Sequence, residues 1–351
     1  MKTHFLQVKE VITETPDAAT IEFWHPLSEQ IKYKAGQFLT VIVPADEGKK
    51  VRRSYSMSTS PHSDTAVGIT VKRVENGLVS NYLLNNVKKG DFIEVIEPMG
   101  NFYLEPDADK ERNIFLIGGG SGITPLMSIA KSVLKMEPKS RISLIYGNRT
   151  EESIIFRHKI IEMEMEYKDR FRVRQVLSQP SKGWPEERGR ITQASVVYMM
   201  KEFDVDFAKD DFFLCGPEGM MDSVVSILES YDVADSRIYK EAFNAPVMGE
   251  EMEEEVDESL KKRKITINYD GETHEFEVEP HQSILEAALD LEIDLPYSCQ
   301  AGMCTACLGK CTTGSVKMDE EDGLTEKEIE DGYVLTCVAH PLTDDVVLEI
   351  E

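Results

Sequence analysis

Apolar and polar positions along the chain fall into three successive patterns. In residues 1–108, short β-like apolar runs such as 38–43 and 67–72 are separated by turns. Strands at this close spacing are typical of a small antiparallel barrel. We therefore predict that residues 1–108 form an antiparallel β-barrel domain.

The second pattern covers residues 109–243. Compact apolar runs at 114–117, 142–146 and 212–214 alternate with amphipathic stretches. Alternation of this kind is typical of a parallel sheet covered by helices. We predict an α/β domain here.

The third pattern begins after a polar, charged stretch at 244–263, which we interpret as an acidic linker. Residues 264–351 form a compact tail. Residues 264–269 alternate as a strand, Asp270 and Gly271 predict a hairpin turn, and Ser283 is expected to cap a helix. The length of 351 residues suits several domains.

Negative charge is concentrated in this tail. The chain has a formal net charge of −25, and residues 264–351 contain 4 Lys and no Arg against 21 acidic residues, a net of −17. Such a surface repels nucleic acid. It is either a solvated face or a docking face that steers a basic partner.

The sequence shows no sign of membrane insertion or export. No apolar run reaches the length of a membrane span, and the first residues lack a signal-peptide pattern. We expect no membrane span and a cytoplasmic location.

Four cysteines in the tail carry the most specific chemical signal. Cys299, Cys304 and Cys307 have the spacing Cys-x4-Cys-x2-Cys, and Cys337 follows after 29 residues. Plant-type [2Fe–2S] clusters have this spacing. Small residues such as Gly302 let backbone amides approach the inorganic sulfides. A zinc site usually has a second cysteine pair or histidines, and neither follows here.

Cys311 is an alternative fourth ligand. A bacterial four-iron run has a shorter first gap and a proline after its last cysteine, whereas Thr312 follows here. We therefore favour Cys337 and predict that Cys311 is a small buried or strand residue. Disulfides are not expected because nothing marks the chain as secreted.

A glycine loop follows the apolar run at 114–117. Glycines let the backbone approach a pyrophosphate at a helix N-terminus. We predict Thr124 as the N-cap and Pro125 as the first helical residue, although Pro125 stands where a Rossmann fingerprint has its third glycine. The alternative is a plain turn capping a helix. The glycines concerned are Gly118, Gly120 and Gly122.

Two further strand ends carry candidate nucleotide-binding residues. Arg149, together with Arg157, suits a 2′-phosphate and so favours NADPH over NADH. Glu151 lies close by, and the alternative is that Arg149 is a solvated loop cation. Cys215 ends another predicted strand, where open α/β sheets bind ligands. Its alternative role is that of a buried small residue. A sharp turn at Gly216 and Pro217 follows.

The barrel region contains a possible site for a planar ring. Tyr55 can pack on such a ring, Ser56 can bond its edge, and Arg53 can pair with phosphate. By itself this segment is only a polar strand. Gly77 and Ser80 then open a helix-like stretch whose N-terminus could hold phosphate.

Arg-x-Tyr-Ser, Gly-x-x-Ser, Gly-Gly-Gly-Ser-Gly-Ile-Thr-Pro and Cys-Gly-Pro occur in this order. Together they resemble the ferredoxin–NADP reductase superfamily. With the cysteine tail, the whole chain resembles fused reductase subunits of bacterial oxygenases, particularly those of phenylacetyl-CoA epoxidases. Reductases of other hydroxylases, of desaturases and of FMN- or NADH-dependent dioxygenases are alternatives. The resemblance implies a FAD-binding barrel, an NAD(P)-binding domain and a β-grasp ferredoxin domain.

The resemblance also implies residue roles. Arg53 would pair with flavin phosphate, Tyr55 would stack on the isoalloxazine, and Ser56 would lie near its N5. Gly77 and Ser80 would hold the pyrophosphate of FAD, with FMN as an alternative, and Thr59 stands where many relatives carry serine. Cys215 and Glu241 would flank the nicotinamide, and Phe243 would guard the flavin face.

The implied function is electron transfer from NADPH through FAD and the [2Fe–2S] cluster to a separate oxygenase that docks on the acidic tail. The 7 histidines are scattered without Glu-x-x-His pairs, so the chain has no di-iron oxygenase site of its own. Two alternatives remain at this point: an electron-transfer module without a working nucleotide site, and an iron–sulfur redox sensor.

Overall fold

The computed structural model describes residues 2–26, 30–45, 50–243, 261–280, 282–300, 302, 304–321 and 323–350. The chain divides into two compact units, Lys2–Phe243 and Asn244–Glu351. Most of the predicted linker, residues 244–260, lies outside the described residues.

The first unit begins with a six-stranded antiparallel sheet. Its members are β1 (Thr3–Thr15), β2 (Ala18–Phe23), β3 (Phe38–Pro44), β4 (Lys50–Ser56), β5 (Val67–Lys72) and β6 (Phe92–Met99), with helix α1 (Leu78–Asn86) before β6. The strand order is β4-β3-β6-β1-β2-β5. A bridge between Met57 and Ile69 joins the two edges and closes the sheet around an apolar core. The predicted antiparallel barrel is confirmed.

A parallel sheet follows in the same unit. Its strands are β7 (Asn113–Gly119), β8 (Arg141–Asn148), β9 (Phe171–Leu177), β10 (Glu187–Arg188), β11 (Asp211–Cys215) and β12 (Ile238–Glu241), in the order β10-β9-β8-β7-β11-β12. Helices α2 (Ile123–Met136), α3 (Arg157–Tyr167), α4 (Gln193–Glu202) and α5 (Glu218–Ser230) connect them. Ile114 and Leu116 belong to one apolar core and Phe115 and Ile117 to another, so both faces are covered, as predicted.

Helix α2 attaches the parallel sheet to the barrel. The Ser128 hydroxyl donates to the Thr59 carbonyl over 2.6 Å, and the hydroxyls of Ser60 and Ser132 lie 2.8 Å apart. All four residues are buried. These buried hydrogen bonds fix the barrel relative to α2, the helix that directly follows the glycine loop.

The second unit is a mixed sheet with two short helices. Its elements are β13 (Arg263–Tyr269), β14 (Glu272–Val278), α6 (Ile284–Asp290), β15 (Leu308–Thr313), β16 (Val316–Met318), α7 (Glu326–Glu330), β17 (Tyr333–Leu335), β18 (Ala339–Pro341) and β19 (Val346–Ile350). The main sheet has the order β14-β13-β19-β15-β17, and β16 pairs with β18.

Two local predictions for this unit hold. Asp270 and Gly271 have φ values of 50° and 79°, as a two-residue hairpin turn between twisted strands requires. Ser283 caps α6 by accepting a hydrogen bond from the backbone N–H of Glu286, whose side chain returns the interaction.

The predicted N-cap of α2 is wrong. A tight turn at Gly120–Gly122 runs directly into the helix, so α2 begins at Ile123 with Gly122 as its N-cap. Thr124 is already helical, and its hydroxyl donates to the Ser121 carbonyl over 3.0 Å. Among the described residues, no helix is both long and apolar enough to cross a membrane.

Candidate functional site

Three of the predicted site residues meet where the barrel contacts the parallel sheet. The Ser56 hydroxyl, at the end of β4, donates to Glu241 Oε2 over 3.1 Å. Cys215, the last residue of β11, is in register with Glu241 on one side and with Gly118 on the other. The carboxyl ends of parallel strands are where open α/β sheets bind ligands. The fold thus gathers Ser56, Cys215 and Glu241 at one such edge.

Cys215 is held as a neutral thiol. It is fully buried, and burial, with a smaller contribution from the Glu241 charge, raises the pKa of the thiol well above its ordinary value. A neutral thiol is a poor nucleophile, so this position suits contact with a ligand rather than covalent chemistry. Phe243 lies two residues beyond Glu241 and is 43% exposed, which leaves its ring accessible.

Arg53 and Tyr55 lie on one face of β4, and Ser56 lies on the other because side chains alternate along a strand. Tyr55 packs against the barrel core, and burial raises the pKa of its phenol. The phenol is therefore protonated at neutral pH. The half-buried Tyr55 ring and the Arg53 guanidinium belong to residues two apart on the same strand face. This arrangement suits a ligand that has a planar ring linked to a phosphate.

Thr59 is bonded within the barrel. Its hydroxyl lies 2.8 Å from the Tyr33 hydroxyl and accepts the backbone N–H of Gly68 over 2.9 Å. These contacts fix the segment that follows β4. The prediction that Thr59 contacts a cofactor stays a prediction.

Gly77 and Ser80 form the start of α1. A Cβ at Gly77 would lie 2.9 Å from both Ser80 Oγ and Val74 Cβ, so local packing requires glycine there. Ser80 Oγ accepts the backbone N–H of Val74 over 3.1 Å. The free first-turn amides of a helix of this length suit an anion, and the prediction that they hold the pyrophosphate stays a prediction.

A cavity of about 390 Å³ continues along α1 past its first turn, between Asn81, Tyr82 and Pro44. This cavity lies beside the helix whose start carries Gly77 and Ser80, where the pyrophosphate of FAD is predicted.

The glycine loop and the loop after β11 interlock. A Cβ at Gly122 would lie 2.0 Å from the Cys215 carbonyl oxygen, and one at Gly119 would lie 2.6 Å from Pro217 Cδ. A Cβ at Gly216 would lie 2.8 Å from the backbone N of Gly119. The two motifs therefore form one surface, and several of these glycines are required by contact between the loops as well as by any ligand.

Two residues that the sequence reasoning missed also contact this loop. Gly120 has a φ of 55° and open space around it, and Lys72 Nζ, at the end of β5, lies 3.8 Å from the position of its missing Cβ. The buried Tyr146 donates its hydroxyl to the Gly120 carbonyl over 2.8 Å. Lys72 brings a positive charge from the barrel to a loop shaped for phosphate. In the sequence, Lys72 is distinguished only as a charged residue at the end of a predicted strand.

Arg149 directly follows the carboxyl end of β8, and its side chain is exposed. Its carbonyl accepts the backbone N–H of Gln179 over 2.8 Å, which ties its segment to the one after β9. Arg157, which was expected to assist Arg149 in binding the 2′-phosphate, lines a separate cavity beside Glu151. The structure thus leaves Arg149 as the candidate cation at this strand end.

In the second unit, the four predicted cysteines form two close pairs. The sulfurs of Cys299 and Cys304 lie 3.3 Å apart, and those of Cys307 and Cys337 also lie 3.3 Å apart. Two thiolates around one tetrahedral metal lie about 3.8 Å apart when each metal–sulfur bond is about 2.3 Å, so each pair needs to open by only about 0.5 Å to hold one metal. The pairs therefore fit two metals, each held by two protein sulfurs.

The electrostatics of these sulfurs suit a cationic centre. The neighbouring Cys299 sulfur, together with burial, raises the pKa of Cys304 far above its ordinary value. A hydrogen bond from Cys337 lowers the pKa of Cys307. Four adjacent sulfurs become thiolates together only when positive charge lies among them, and two irons would supply it.

The backbone of the cysteine loop is specialised. Gln300 and Gly302 have φ values of 56° and 67°. A Cβ at Gly302 would lie 2.8 Å from Glu320 Cβ, and the backbone N–H of Gly323 donates to the Gly302 carbonyl over 2.8 Å. Gly302 therefore has a second role that the spacing did not reveal: it lets the acidic segment 319–321 pack on the loop.

Cys311 lies apart from the two pairs. It is a half-buried residue of β15, in register with Leu348, and its thiol donates to the Thr313 carbonyl over 3.2 Å. The preference for Cys337 agrees with this geometry.

Comparison with known proteins agrees with this architecture. Residues 5–103 match the family described as the oxidoreductase FAD-binding domain, residues 116–226 the oxidoreductase NAD-binding domain, and residues 267–342 the 2Fe-2S iron-sulfur cluster binding domain. The chain is therefore an oxidoreductase with FAD, a nicotinamide nucleotide and a [2Fe–2S] cluster as its cofactors. The zinc alternative is excluded.

Full-length relatives identify the family. The chain is 35% identical to one of the subunits of the 1,2-phenylacetyl-CoA epoxidase of Escherichia coli, with 99% of this chain and 98% of the relative covered. It is 33% identical to the ferredoxin reductase component of a 3-ketosteroid-9-alpha-monooxygenase of Rhodococcus rhodochrous, with 98% and 96% covered. The chain belongs to this family of oxygenase reductase components.

A solved structure shows the same fold. Phthalate dioxygenase reductase superposes with a TM-score of 0.63 at 22% identity, with 99% of this chain and 98% of that chain covered. The predicted multi-domain architecture of barrel, parallel-sheet domain and ferredoxin domain is confirmed.

Proposed function

We propose that the chain oxidises NADPH at the site formed by Ser56, Cys215 and Glu241, and that it passes the electrons through its cluster to a separate oxygenase. The observation that carries the proposal is the hydrogen bond between Ser56 of the barrel and Glu241 of the parallel sheet. It joins the surface suited to a flavin to the strand ends suited to a nicotinamide. Phe243 lies two residues beyond Glu241.

A bound flavin accepts a two-electron hydride and releases single electrons, which is what a one-electron cluster needs. The residues of this chain supply binding and orientation. Glu241 accepts the Ser56 hydrogen bond and so fixes that hydroxyl, while the neutral Cys215 fills the strand end without adding charge. Hydride transfer itself requires no acid or base from the protein.

An experiment under anaerobic conditions tests this proposal. Purified holoprotein is mixed with NADPH in a stopped-flow spectrometer, and flavin bleaching is followed before cluster bleaching. The proposal requires the flavin to bleach first and the cluster to follow. Absence of flavin bleaching would instead support an electron-transfer module without a working nucleotide site. The redox-sensor alternative predicts no sustained NADPH turnover.

For the partner, we propose an oxygenase of the phenylacetyl-CoA epoxidase type, because the relative with that name aligns from end to end at 35% identity. The docking face that we propose is the acidic segment 319–321. Glu320 packs on Gly302 in the loop that carries Cys299 and Cys304, so its negative charge lies close to the cluster. Opposite charge on the oxygenase would steer a transient encounter.

Paired charge-neutralising variants test the docking face. The double variant Glu320→Gln, Glu321→Gln is compared with Asp270→Asn, Glu272→Gln, at the β13–β14 hairpin on an edge of the five-stranded sheet, to which segment 319–321 does not belong. We expect the first variant to raise the KM for the epoxidase oxygenase component several-fold at low salt. Equal effects of both variants would refute the docking face. Turnover with a ketosteroid monooxygenase oxygenase instead would refute the partner. The cytoplasmic location stays a prediction.

A further inference from the structure

The parallel-sheet domain contains a cavity that the electron-transfer site does not use. It has a volume of about 760 Å³ and lies between α3, β9 and the segment 181–186. Cavities of 300–1,000 Å³ are typical of sites for small organic molecules. The volume is far larger than a single metal ion requires.

Two carboxylates line this cavity, one from α3 and one from the segment 181–186, and both bind backbone N–H groups of β9. Glu164 Oε1 accepts the backbone N–H of Val173 over 3.1 Å, and Glu186 Oε2 accepts the backbone N–H of Gln175 over 2.7 Å. They cap an edge that would otherwise present unpaired amides. Each carboxylate has a second oxygen that the two N–H groups do not use.

The charge of these two carboxylates is only partly compensated. Burial raises the pKa of Glu164, and the Glu186 charge raises it further. Arg174 also lines the cavity and offsets part of this rise in pKa, while its guanidinium donates to Glu202 over 3.1 Å. Positive charge in the cavity would relieve this repulsion.

Gln175 provides an independent sign of a missing partner. Its side chain lines the cavity and is only 7% exposed, and its Oε1 is buried with no hydrogen-bond partner among the described residues. A buried amide oxygen without a donor destabilises the fold. A ligand with N–H groups would supply that donor.

The remaining walls suit the aliphatic part of such a ligand. Trp184 lines the cavity, with its indole N–H already donating to the Glu187 carbonyl over 3.2 Å. Ile160 and Ile161 of α3 add apolar surface. Aromatic rings attract cations over their faces.

The lining also argues against this cavity as part of the dinucleotide site. Four glutamates and two arginines line it, which gives a net charge of −2. This sign repels the phosphates of NADPH. Its ligand is therefore of a different class.

We propose that this cavity binds a small organic cation, a primary ammonium or guanidinium on a short aliphatic stem. The cationic group lies between Glu164 and Glu186 and donates to Gln175 Oε1, and the stem packs against Trp184. The site is independent of hydride transfer and of the cluster.

Tryptophan fluorescence tests the proposal directly, because Trp24 and Trp184 are the two tryptophans of the chain. The Trp24→Phe holoprotein leaves Trp184 as the reporter beside the cavity. It is titrated with 1,5-diaminopentane, with agmatine, with the neutral isostere 1,5-pentanediol and with MgCl2, all at 150 mM NaCl. We expect a saturable change with at least one of the two organic cations and none with the diol or with MgCl2.

Charge-matched variants in the same background decide where the probe binds. Glu164→Gln and Glu186→Gln keep an oxygen for the strand amides, so the edge of β9 remains capped. We expect each to weaken binding at least about tenfold, as expected when a charge-assisted hydrogen bond is lost. Glu162→Gln, which alters an exposed residue of the same helix, should leave binding unchanged.

The proposal is overturned if neither organic cation gives a saturable change, or if the diol or MgCl2 gives an equal one. It is also overturned if Glu162→Gln weakens binding as much as Glu164→Gln does, because the effect is then general attraction to an acidic surface. Flavin bleaching by NADPH is measured on each variant and should not change.

Discussion

Ser56 and Glu241 are 185 positions apart in the sequence, yet the Ser56 hydroxyl donates to Glu241 Oε2 over 3.1 Å. One residue ends a barrel strand and the other ends a strand of the parallel sheet. Both are buried. The hydrogen bond thus fixes the position of the barrel surface relative to the strand ends that face the nucleotide.

The first prediction concerns this pair. Ser56→Ala should slow flavin bleaching by NADPH about tenfold to a hundredfold, because small misplacements of reacting groups have effects of this size. Flavin content should stay unchanged. The control is Ser54→Ala on the same strand as Ser56. This variant removes a hydroxyl that lies 2.9 Å from the Thr40 hydroxyl of β3. Equal bleaching rates in the two variants would contradict the role of Ser56.

The second prediction concerns Lys72, which lies over the open side of Gly120. Lys72→Met should raise the KM for NADPH about tenfold and leave kcat nearly unchanged, because a charge-assisted contact to phosphate is lost. Steady-state kinetics with ferricyanide as acceptor measure both constants. Lys89→Met, at an exposed position of the barrel, is the matched control. An unchanged KM for Lys72→Met would show that this lysine does not contact the dinucleotide.

The third prediction concerns the interlocked loops. A Cβ at Gly122 would lie 2.0 Å from the Cys215 carbonyl oxygen, so Gly122→Ala must push the two loops apart. We expect a loss of about 1–3 kcal/mol in the free energy of unfolding and a higher KM for NADPH. Chemical denaturation and steady-state kinetics measure these effects.

Gly219→Ala is the control for this prediction, since nothing lies within 4 Å of its Cβ position in the same domain. It should be neutral or stabilise α5 by up to about 1 kcal/mol. If both alanine variants behave alike, contact between the loops is not what requires glycine.

The architecture could be predicted from sequence because it depends on local patterns. The apolar run at 67–72 is β5 residue for residue, and Ser283 caps α6 as expected. Spacing alone was enough to favour Cys337 over Cys311, since few loop geometries bring four thiols together.

What could not be predicted depends on contacts between distant segments. The glycines of the loop after β7 were attributed to a ligand, whereas Gly122 also packs on Cys215. Nothing in the local sequence places Lys72 over Gly120 or Glu320 over Gly302. The N-cap of α2 was misplaced because a glycine turn continues directly into the helix, and capping rules assume a side-chain cap.

The fourth prediction concerns the choice of nucleotide. Arg149→Ala should remove the preference for NADPH over NADH, because the guanidinium is expected to pair with the 2′-phosphate. The ratio of kcat/KM for the two nucleotides measures it. Arg141→Ala, at the opposite end of β8, is the control, since Arg141 is also exposed. If Arg149→Ala has the same nucleotide preference as the wild type, this arginine is not the selectivity residue.

The central claim is that electrons leave the protein through the cluster held by Cys299, Cys304, Cys307 and Cys337. The most direct test compares NADPH-dependent reduction of ferricyanide with reduction of a one-electron acceptor protein in the Cys299→Ser variant. We expect acceptor-protein reduction to fall to background while ferricyanide reduction persists, because the flavin and nucleotide sites lie in the other compact unit. Cys311→Ser should retain both activities. Loss of both activities in Cys299→Ser would show that the flavin site does not work separately from the cluster, and survival of both would show that electrons do not leave through the cluster.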